Sequence, residues 1–141
     1  MLEDGTSTGA RKLALIAEIL VAYARVRWRM RGGDIRAVVA SIRALPADVA
    51  RPPAGDAFRT WLEAMRLANA VTRTLSVLPT DSRCLVRSLV LLWLLCARGI
   101  PSTLVIGTQR NPGFAAHAWL EYGGKPVLTA GAFQAGRLVE I

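Results

Sequence analysis

Apolar residues recur every three or four positions through the first half of the chain, which is the period of an amphipathic α-helix. The pattern predicts a first helix over residues 12–30, ended by Gly32–Gly33, and a second over 35–45 with Asp34 as its N-cap. A third helix is expected over 56–77. The side chains predicted to face the core are Leu13, Ile16, Ile19, Leu20, Tyr23, Val26 and Met30 in the first helix, Ile35, Val38, Val39, Ile42 and Leu45 in the second, and Phe58, Trp61, Leu62, Met65 and Leu75 in the third.

The second half of the chain has a different pattern. Residues 82–99 are apolar almost all round, which is typical of a helix buried on every side. β-Branched residues over 102–108 predict a strand, and 115–122 and 125–130 predict two further strands joined by a tight Gly-Gly turn. A short last strand is expected over 136–141. The predicted fold class is therefore α+β, with N-terminal helices followed by a central helix and an antiparallel meander.

Composition indicates one packed domain. The chain has 141 residues, of which 52% are hydrophobic, and Trp93 and Trp119 are expected to belong to its core. Cys84 and Cys96 would lie about 18 Å apart on one helix and could not form a disulfide, so a reducing, cytoplasmic location is expected. The N-terminus lacks the pattern of a signal peptide. Residues 13–30 carry too many charges for a membrane span, and peripheral membrane contact through this helix is an alternative.

The chain is strongly basic, with 18 basic and 10 acidic residues and a formal net charge of +8. Its arginines are spread over several amphipathic segments, without a dense basic run or an aromatic ladder between the charges. That distribution is typical of solvated helix faces, so no nucleic-acid partner is expected. An acidic peptide or protein partner is the alternative.

Cys84 is the first candidate for chemistry, because it stands in the predicted first turn of the buried helix, beside Arg83. The positive end of the helix dipole and the neighbouring cation both favour the thiolate form of a cysteine. Free backbone N–H groups at the same helix end could stabilise an oxyanion. Cysteine is also among the residue types most often buried in cores, so a purely structural role is the alternative from the residue type alone.

His117 is the single histidine of the chain and lies on a predicted strand. A lone histidine is more often structural than catalytic. A cysteine and a histidine are nevertheless the pair that thiol chemistry requires, because the imidazole accepts the thiol proton and later protonates the leaving amine. A zinc site is not expected, since Cys84 and His117, with Cys96 facing elsewhere, cannot supply four ligands. No metal or other cofactor is predicted.

The order of these residues resembles that in transglutaminase-like cysteine proteases. The shared features are a cysteine at the start of a long apolar helix, a strand ending in Ile-Gly, and His-Ala-Trp-Leu-Glu on the next strand. Over about residues 80–130, the motif C-L-x-R-S-L, R-G-I, I-G and H-A-W-[apolar]-E resembles more specifically the leader peptidases (B proteins) of lasso-peptide biosynthesis, in their stand-alone form. The resemblance implies a single peptidase domain over 1–141, with a helical part at 1–78 and a transglutaminase-like or papain-like catalytic core at 79–141.

The resemblance also implies a reaction and its participants. The enzyme would remove the leader from a ribosomally made lasso precursor peptide, with Cys84 as nucleophile and His117 as general acid and base. Its implied partners are the precursor peptide, a separate PqqD-like leader-binding protein and an ATP-dependent lasso cyclase. Arg87 and Ser88 follow Cys84 within one turn and share its helix face, where they either line the peptide groove or bond locally.

One residue departs from the family pattern. The family has a third catalytic residue, Asp, on the strand after the histidine, and pairing the predicted hairpin across its Gly-Gly turn sets Ala118 against Thr129 at that place. Threonine can accept a hydrogen bond from imidazole but supplies no charge. Glu121 lies on the same strand face as His117 but about 13 Å along the strand, too far to orient it directly. A catalytically weakened peptide-binding or scaffold protein of the same fold is therefore the alternative function.

Overall fold

Four α-helices and a four-stranded antiparallel sheet form the described part of the chain, which confirms the predicted α+β class. The computed structural model describes residues 3–44, 57–78, 84–109, 115–127 and 136–141. The helices are α1 (Glu3–Arg29), α2 (Ile35–Arg43), α3 (Ala57–Ser76) and α4 (Cys84–Ala97), and a 3₁₀ turn (Met30–Gly32) follows α1. The strands are β1 (Thr103–Gln109), β2 (Ala115–Tyr122), β3 (Lys125–Pro126) and β4 (Gly136–Glu140).

The β2–β3 hairpin has the predicted turn. Both residues of Gly123–Gly124 have positive φ, 57° and 80°, as a two-residue type I′ turn requires and as glycine adopts without strain. Tyr122 pairs with Lys125, and the N–H of Val127 donates to the carbonyl of Leu120 at 2.8 Å. The register predicted from the turn is therefore confirmed as far as residue 127.

The last strand, β4, does not extend the meander but pairs with the other edge of β1, so the strand order is β3-β2-β1-β4. Leu104 and Ile141 exchange backbone hydrogen bonds of 2.8 and 2.7 Å along this edge. Arg43 at the end of α2 donates to the carbonyls of Ser102 and Ile141 at 3.0 and 2.7 Å. The expected strand over 136–141 is present and satisfies the second edge of β1, while β1, β2 and β3 form the expected antiparallel meander.

Helix α4 is buried along most of its length, as its uniformly apolar sequence predicts. It packs against α1, α2 and α3 and against β1 and β2. The core side chains it contributes are Val86, Leu89, Val90, Leu91, Leu92, Trp93, Leu94 and Leu95. Because three helices and two strands surround α4, the whole core fixes the position of its first residue, Cys84.

Helix α1 begins at Glu3, well before the predicted start, and buries a narrower face than predicted. Ile19, Ala22 and Val26 are buried, and Leu15, Tyr23 and Met30 are partly buried against them. The predicted core positions Leu13, Ile16 and Leu20 are wrong, because these side chains are exposed. The helix has apolar residues on two opposite sides, and the side with the small Ala22 is the one that packs, since a small residue lets two helix axes approach.

Helix α3 is rotated relative to the prediction. It buries Thr60, Ala64, Leu67, Ala68, Val71 and Leu75. Leu75 is therefore a core residue as predicted, and Trp61 and Met65 are half-buried. The prediction is wrong for Phe58 and Leu62, which are exposed. Alanines again mark the side that packs closely, which a search for large apolar residues overlooks.

Helix α2 follows the prediction. The carboxylate of Asp34 accepts the backbone N–H of Arg36 at 3.0 Å and so caps the helix. The break before it is also confirmed, because Gly33 has a φ of 79°. Val38, Val39 and Ile42 are buried and Ile35 is partly buried, as expected, while Leu45 lies outside the described residues.

Charged side chains of α1 pack on α4 and its C-terminal end. Arg98, just past α4, donates to both carboxylate oxygens of Glu18, at 2.9 and 3.0 Å. The guanidinium groups of Arg25 and Arg29 lie 5.7 and 4.9 Å from the ring of Trp93, which belongs to the core as predicted. These three charged side chains of α1 thus contribute to its packing. No helix among the described residues is long and apolar enough to cross a membrane.

Candidate active site

Cys84 is the first residue of α4 and lies beside strand β2. Its Sγ accepts a hydrogen bond from the backbone N–H of Ala118 at 3.4 Å, across 34 residues of sequence. Ala118 directly follows His117. The first residue of the buried helix is therefore in contact with the strand that carries the single histidine, at the residue next to that histidine, and Cys84 is half-buried there.

A second hydrogen bond fixes the same contact. The Ser88 hydroxyl donates to the carbonyl of Ala118 at 3.3 Å, and Ser88 is 0% exposed. Cys84 and Ser88 lie one turn apart on α4, so together they hold the N–H and the C=O of one strand residue. We call these three residues, Cys84, Ser88 and Ala118, the α4–β2 junction. This bond joins Ser88 to a distant strand, and a role for Ser88 in the peptide groove stays a prediction.

The backbone of β2 explains why both polar groups of Ala118 point to α4. In an antiparallel strand the N–H and C=O of one residue point to the same side, and residues two apart point alike. The carbonyl of Leu120 accepts a hydrogen bond from the N–H of Val127, so the polar groups of Leu120 point to the β3 side of β2. Ala118 lies two residues before Leu120, so its N–H and C=O point to the same side. The first turn of α4 lies at that edge and bonds to them. The position of Cys84 is therefore linked to the register of the β2–β3 hairpin.

His117 projects from the face of β2 opposite to the core side chains of Ala118 and Leu120. Across the β1–β2 ladder it stands opposite Gly107, which has no side chain to fill the space beside the imidazole. The imidazole ring is half-buried, and its centroid lies 6.2 Å from that of the Trp119 ring. Burial lowers the pKa of His117 below its usual 6.5, so the imidazole is neutral at pH 7.

Trp119 and Glu121 support the imidazole from the same face of β2. The Trp119 Nε1–H donates to Glu121 Oε1 at 3.0 Å, and the two residues are only 8% and 6% exposed. Trp119 is thus buried as predicted. Although Glu121 is four residues from His117, it fixes the indole ring that packs beside the imidazole. The sequence contains the signal for this arrangement, since residues two apart on a strand share a face.

Two further residues were predicted to belong to the site, and their roles stay predictions. Arg87 is half-buried on α4, within one turn of Cys84, and it stays a predicted substrate-binding residue. Thr129, at the place of the family's Asp, lies outside the described residues. A role for Thr129 as third catalytic residue therefore stays a prediction.

Cys96 has different surroundings from Cys84. It lies near the other end of α4, where burial raises the pKa of its thiol, an effect that Arg43 partly offsets. Both cysteines are free thiols. Within the described ranges, no three Cys, His, Asp or Glu side chains come together in a group that could bind a metal ion. Cys84, next to the histidine strand, is accordingly the better candidate nucleophile of the two.

The chain also shares its sequence pattern with a known group of proteins. A family model described as "Transglutaminase-like superfamily" matches residues 9–137, which is most of the chain. The matched range includes Cys84, Ser88 and His117, so it covers the candidate site. Neither a curated protein nor a solved structure matches the chain significantly.

Proposed function

The chain belongs to the transglutaminase-like superfamily, which includes cysteine peptidases, and we propose that it removes the leader from a ribosomally made lasso precursor peptide. Cys84 is the nucleophile, and His117 is the general acid and base. The observation that carries the proposal is the hydrogen bond from Ala118 to Cys84 Sγ, because it joins the first turn of α4 to the His-Ala-Trp-Leu-Glu strand. The resemblance of the surrounding motif to lasso leader peptidases supports the choice of substrate.

The proposed reaction is acyl transfer through a thioester. The neutral imidazole of His117 accepts the proton of the Cys84 thiol, and the sulfur attacks the carbonyl carbon of the scissile peptide bond. The oxygen of the tetrahedral intermediate carries a negative charge, which the N-terminal end of α4 stabilises through its dipole. The imidazolium then gives its proton to the leaving amine. Water, activated by the same imidazole, hydrolyses the thioester and releases the leader.

The imidazolium formed in this reaction needs a fixed orientation and, in the family, a charged partner. In the proposal, Trp119 and Glu121 hold the ring from one side, and Thr129 accepts a hydrogen bond from it. Thr129→Asp should then raise the rate of precursor cleavage, because it restores the negative charge. A rate that stays the same or falls would mean that position 129 does not face His117.

In the proposed system this chain supplies the chemistry and other proteins supply the affinity. A separate PqqD-like protein binds the leader, and an ATP-dependent lasso cyclase joins the freed amine to an acidic side chain. The proposed location of the whole process is the cytoplasm. Because the leader-binding function resides in another protein, cleavage by this chain alone is expected to be slow.

The test is cleavage of the precursor peptide, followed by mass spectrometry with and without the leader-binding protein. Cys84→Ala and His117→Ala should each lower the rate at least about 10³-fold, since each removes a group that the chemistry requires. Cys96→Ala is the matched control and should keep the wild-type rate. The proposal is wrong if the wild-type protein, with its partner present, cleaves no faster than Cys84→Ala.

A second candidate function is peptide binding or scaffolding without cleavage. It is favoured by the threonine at position 129, because an uncharged residue stabilises an imidazolium less well than Asp. In that case the wild-type protein and Cys84→Ala would bind the precursor equally and neither would cleave it. Fluorescence anisotropy of a labelled precursor, measured in the same samples, separates the two functions.

A further inference from the structure

The outer face of α1 exposes apolar side chains that the fold does not bury. Leu13, Ile16 and Leu20 recur at three- and four-residue spacing and are 69%, 41% and 40% exposed. Val21 and Trp28 of the same helix are exposed as well. A monomeric protein rarely exposes a contiguous apolar stripe, so this face is suited to contact with another molecule.

A groove lies between this stripe and α3. It has a volume of about 530 Å³, and its apolar walls include Leu15 and Ile16 of α1 and Leu67 and Ala70 of α3. Because Ile16 belongs both to the exposed stripe and to the groove wall, the two form one continuous apolar surface. We call this surface the α1–α3 groove.

The rim of the α1–α3 groove is positively charged. Lys12, Arg66 and Arg73 line it, and Glu63 is the one acidic residue among the lining residues. Glu63 and Arg66 are 3.9 Å apart with both side chains exposed, so this pair contributes little and Arg66 can bind another carboxylate. Arg59, Arg66 and Arg73 recur every seven residues and are all exposed, so they follow one face of α3.

We propose that the α1–α3 groove binds an acidic amphipathic helix of a partner protein. The apolar face of that helix contacts Ile16 and the stripe beside it, and acidic side chains on its flank pair with Arg66 and Arg73. The two arginines are about 10.5 Å apart along α3, so they match acidic residues one heptad apart on a helix parallel to α3. The groove is concave, which suits an inserted helix better than a flat bilayer.

This surface uses different elements from the candidate active site. The groove is formed by α1 and α3, whereas Cys84 and His117 belong to α4 and β2. Both α1 and α3 pack on α4, so a partner in the groove is held against the same core as the nucleophile. The inference does not depend on peptidase activity, and a binding experiment tests it separately.

The probe is a fluorescein-labelled synthetic helix with leucine at its a and d positions and glutamate on one flank. A scrambled peptide of the same composition is the reference, and anisotropy is measured at about 0.15 M salt. The wild-type protein should bind the amphipathic peptide at least about tenfold more tightly than the scrambled one, because scrambling removes the continuous apolar face.

Matched variants carry the same change of charge at two places. Arg66→Glu/Arg73→Glu reverses the groove rim and should weaken binding at least about tenfold. Arg36→Glu/Lys125→Glu reverses two exposed cations outside the groove and should weaken binding less than about threefold. Leu13→Ser should also weaken binding. Thermal unfolding, followed by circular dichroism, should change little in all of them, because the altered side chains are exposed.

Three results would overturn the inference. Equal weakening by the two charge-reversal variants would mean general attraction to a basic protein. Equal binding of the scrambled peptide would mean that no helical face is recognised. The last comparison uses vesicles with about one third anionic lipid. If the wild-type protein binds these vesicles but not the peptide, and Leu13→Ser abolishes vesicle binding, this face is a membrane contact.

Discussion

The α4–β2 junction and the α1–α3 groove use apolar and polar side chains in opposite ways. At the junction a thiol and a hydroxyl of a buried helix bond to the backbone of Ala118. In the groove, apolar side chains remain exposed, and the polar groups are long cationic side chains on the rim. The junction is thus completed by the fold itself, whereas the groove is completed only by a second molecule. Substitutions should separate the two regions, through stability and chemistry in one and through association in the other.

The largest expected difference is between the core that holds the junction in place and the exposed stripe of α1, and it lies in the cost of removing an apolar side chain. Leu91 of α4 is fully buried, so Leu91→Ala should lower the free energy of unfolding by about 2–5 kcal/mol. Leu20 of α1 lies on the exposed stripe, and Leu20→Ala should cost less than about 1 kcal/mol. Urea denaturation of both variants measures the difference. Equal losses would show that the stripe on α1 is part of the core.

The next effect concerns the hydroxyl of the junction. Ser88→Ala leaves the carbonyl of Ala118 without its donor and should lower the free energy of unfolding by about 1–3 kcal/mol. Ser76→Ala is the matched control, because the Ser76 hydroxyl also donates to a carbonyl, that of Arg73, but at an exposed site. We expect a change within about 0.5 kcal/mol for the control. If Ser88→Ala were as mild, the junction would not depend on this bond.

A third effect follows from the burial of His117. Because its pKa is lowered, the folded chain binds a proton at lower pH than the unfolded chain does, so stability should fall as the pH drops below about 6.5. The acid limb of precursor cleavage should lie in the same range, since the neutral imidazole accepts the thiol proton. NMR reports the titration directly, because the chain has a single histidine.

Two tryptophans provide the comparison for that titration. Trp119→Ala uncovers the imidazole and should move its midpoint up toward 6.5, whereas Trp28→Ala alters an exposed residue of α1 and should leave it unchanged. A midpoint at or above 6.5 in the wild-type protein would contradict the burial of the ring.

The smallest expected effect is at Cys96. Its raised pKa means that the folded chain loses this proton at higher pH than the unfolded chain, so stability should decline slightly as the pH rises past 9. In Cys84→Ala protein at about pH 8, iodoacetamide should modify Cys96 several-fold more slowly than in concentrated urea. Arg43→Ala should slow the modification of Cys96 further, because this substitution removes the cation that partly offsets the effect of burial on the thiol pKa. Arg36→Ala should leave the rate unchanged. Equal rates with and without urea would contradict the burial of this thiol.

Some features could be predicted from the sequence, because the residues involved allow few alternative conformations or partners. Gly123–Gly124 permits a tight turn with one register, and the carboxylate of Asp34 has the helix N–H groups as nearby partners. Helix α4 has almost no polar side to expose, so its burial could be predicted without knowing its neighbours. Cys84 and His117 were selected by the motif that contains them, and the fold brings their segments together.

Tertiary packing decided the features that the sequence left open. Helix α1 has apolar residues on opposite sides, and periodicity alone cannot tell that the side with Ala22 packs while Leu13 stays exposed. The pairing of β4 with β1 joins distant segments, so no local pattern indicates it. In the site, the bond from Ser88 to Ala118 spans 30 residues and needed the structure. The Trp119–Glu121 contact could have been predicted, since both lie on one strand face.

The Gly123–Gly124 turn also bears on how related sequences can diverge. Its length sets Leu120 against Val127, and nothing lies within 4 Å of a Cβ at either glycine. If one residue is inserted after the turn and the turn itself keeps two residues, the following strand slides by one position, and because side chains alternate, its residues exchange faces. Val127 would then stand opposite Trp119 instead of Leu120, and its side chain would leave the core face. Insertions and deletions beside this turn, and not substitutions alone, are therefore an evolutionary route by which related sequences change the side chains that β3 presents on each face of the sheet.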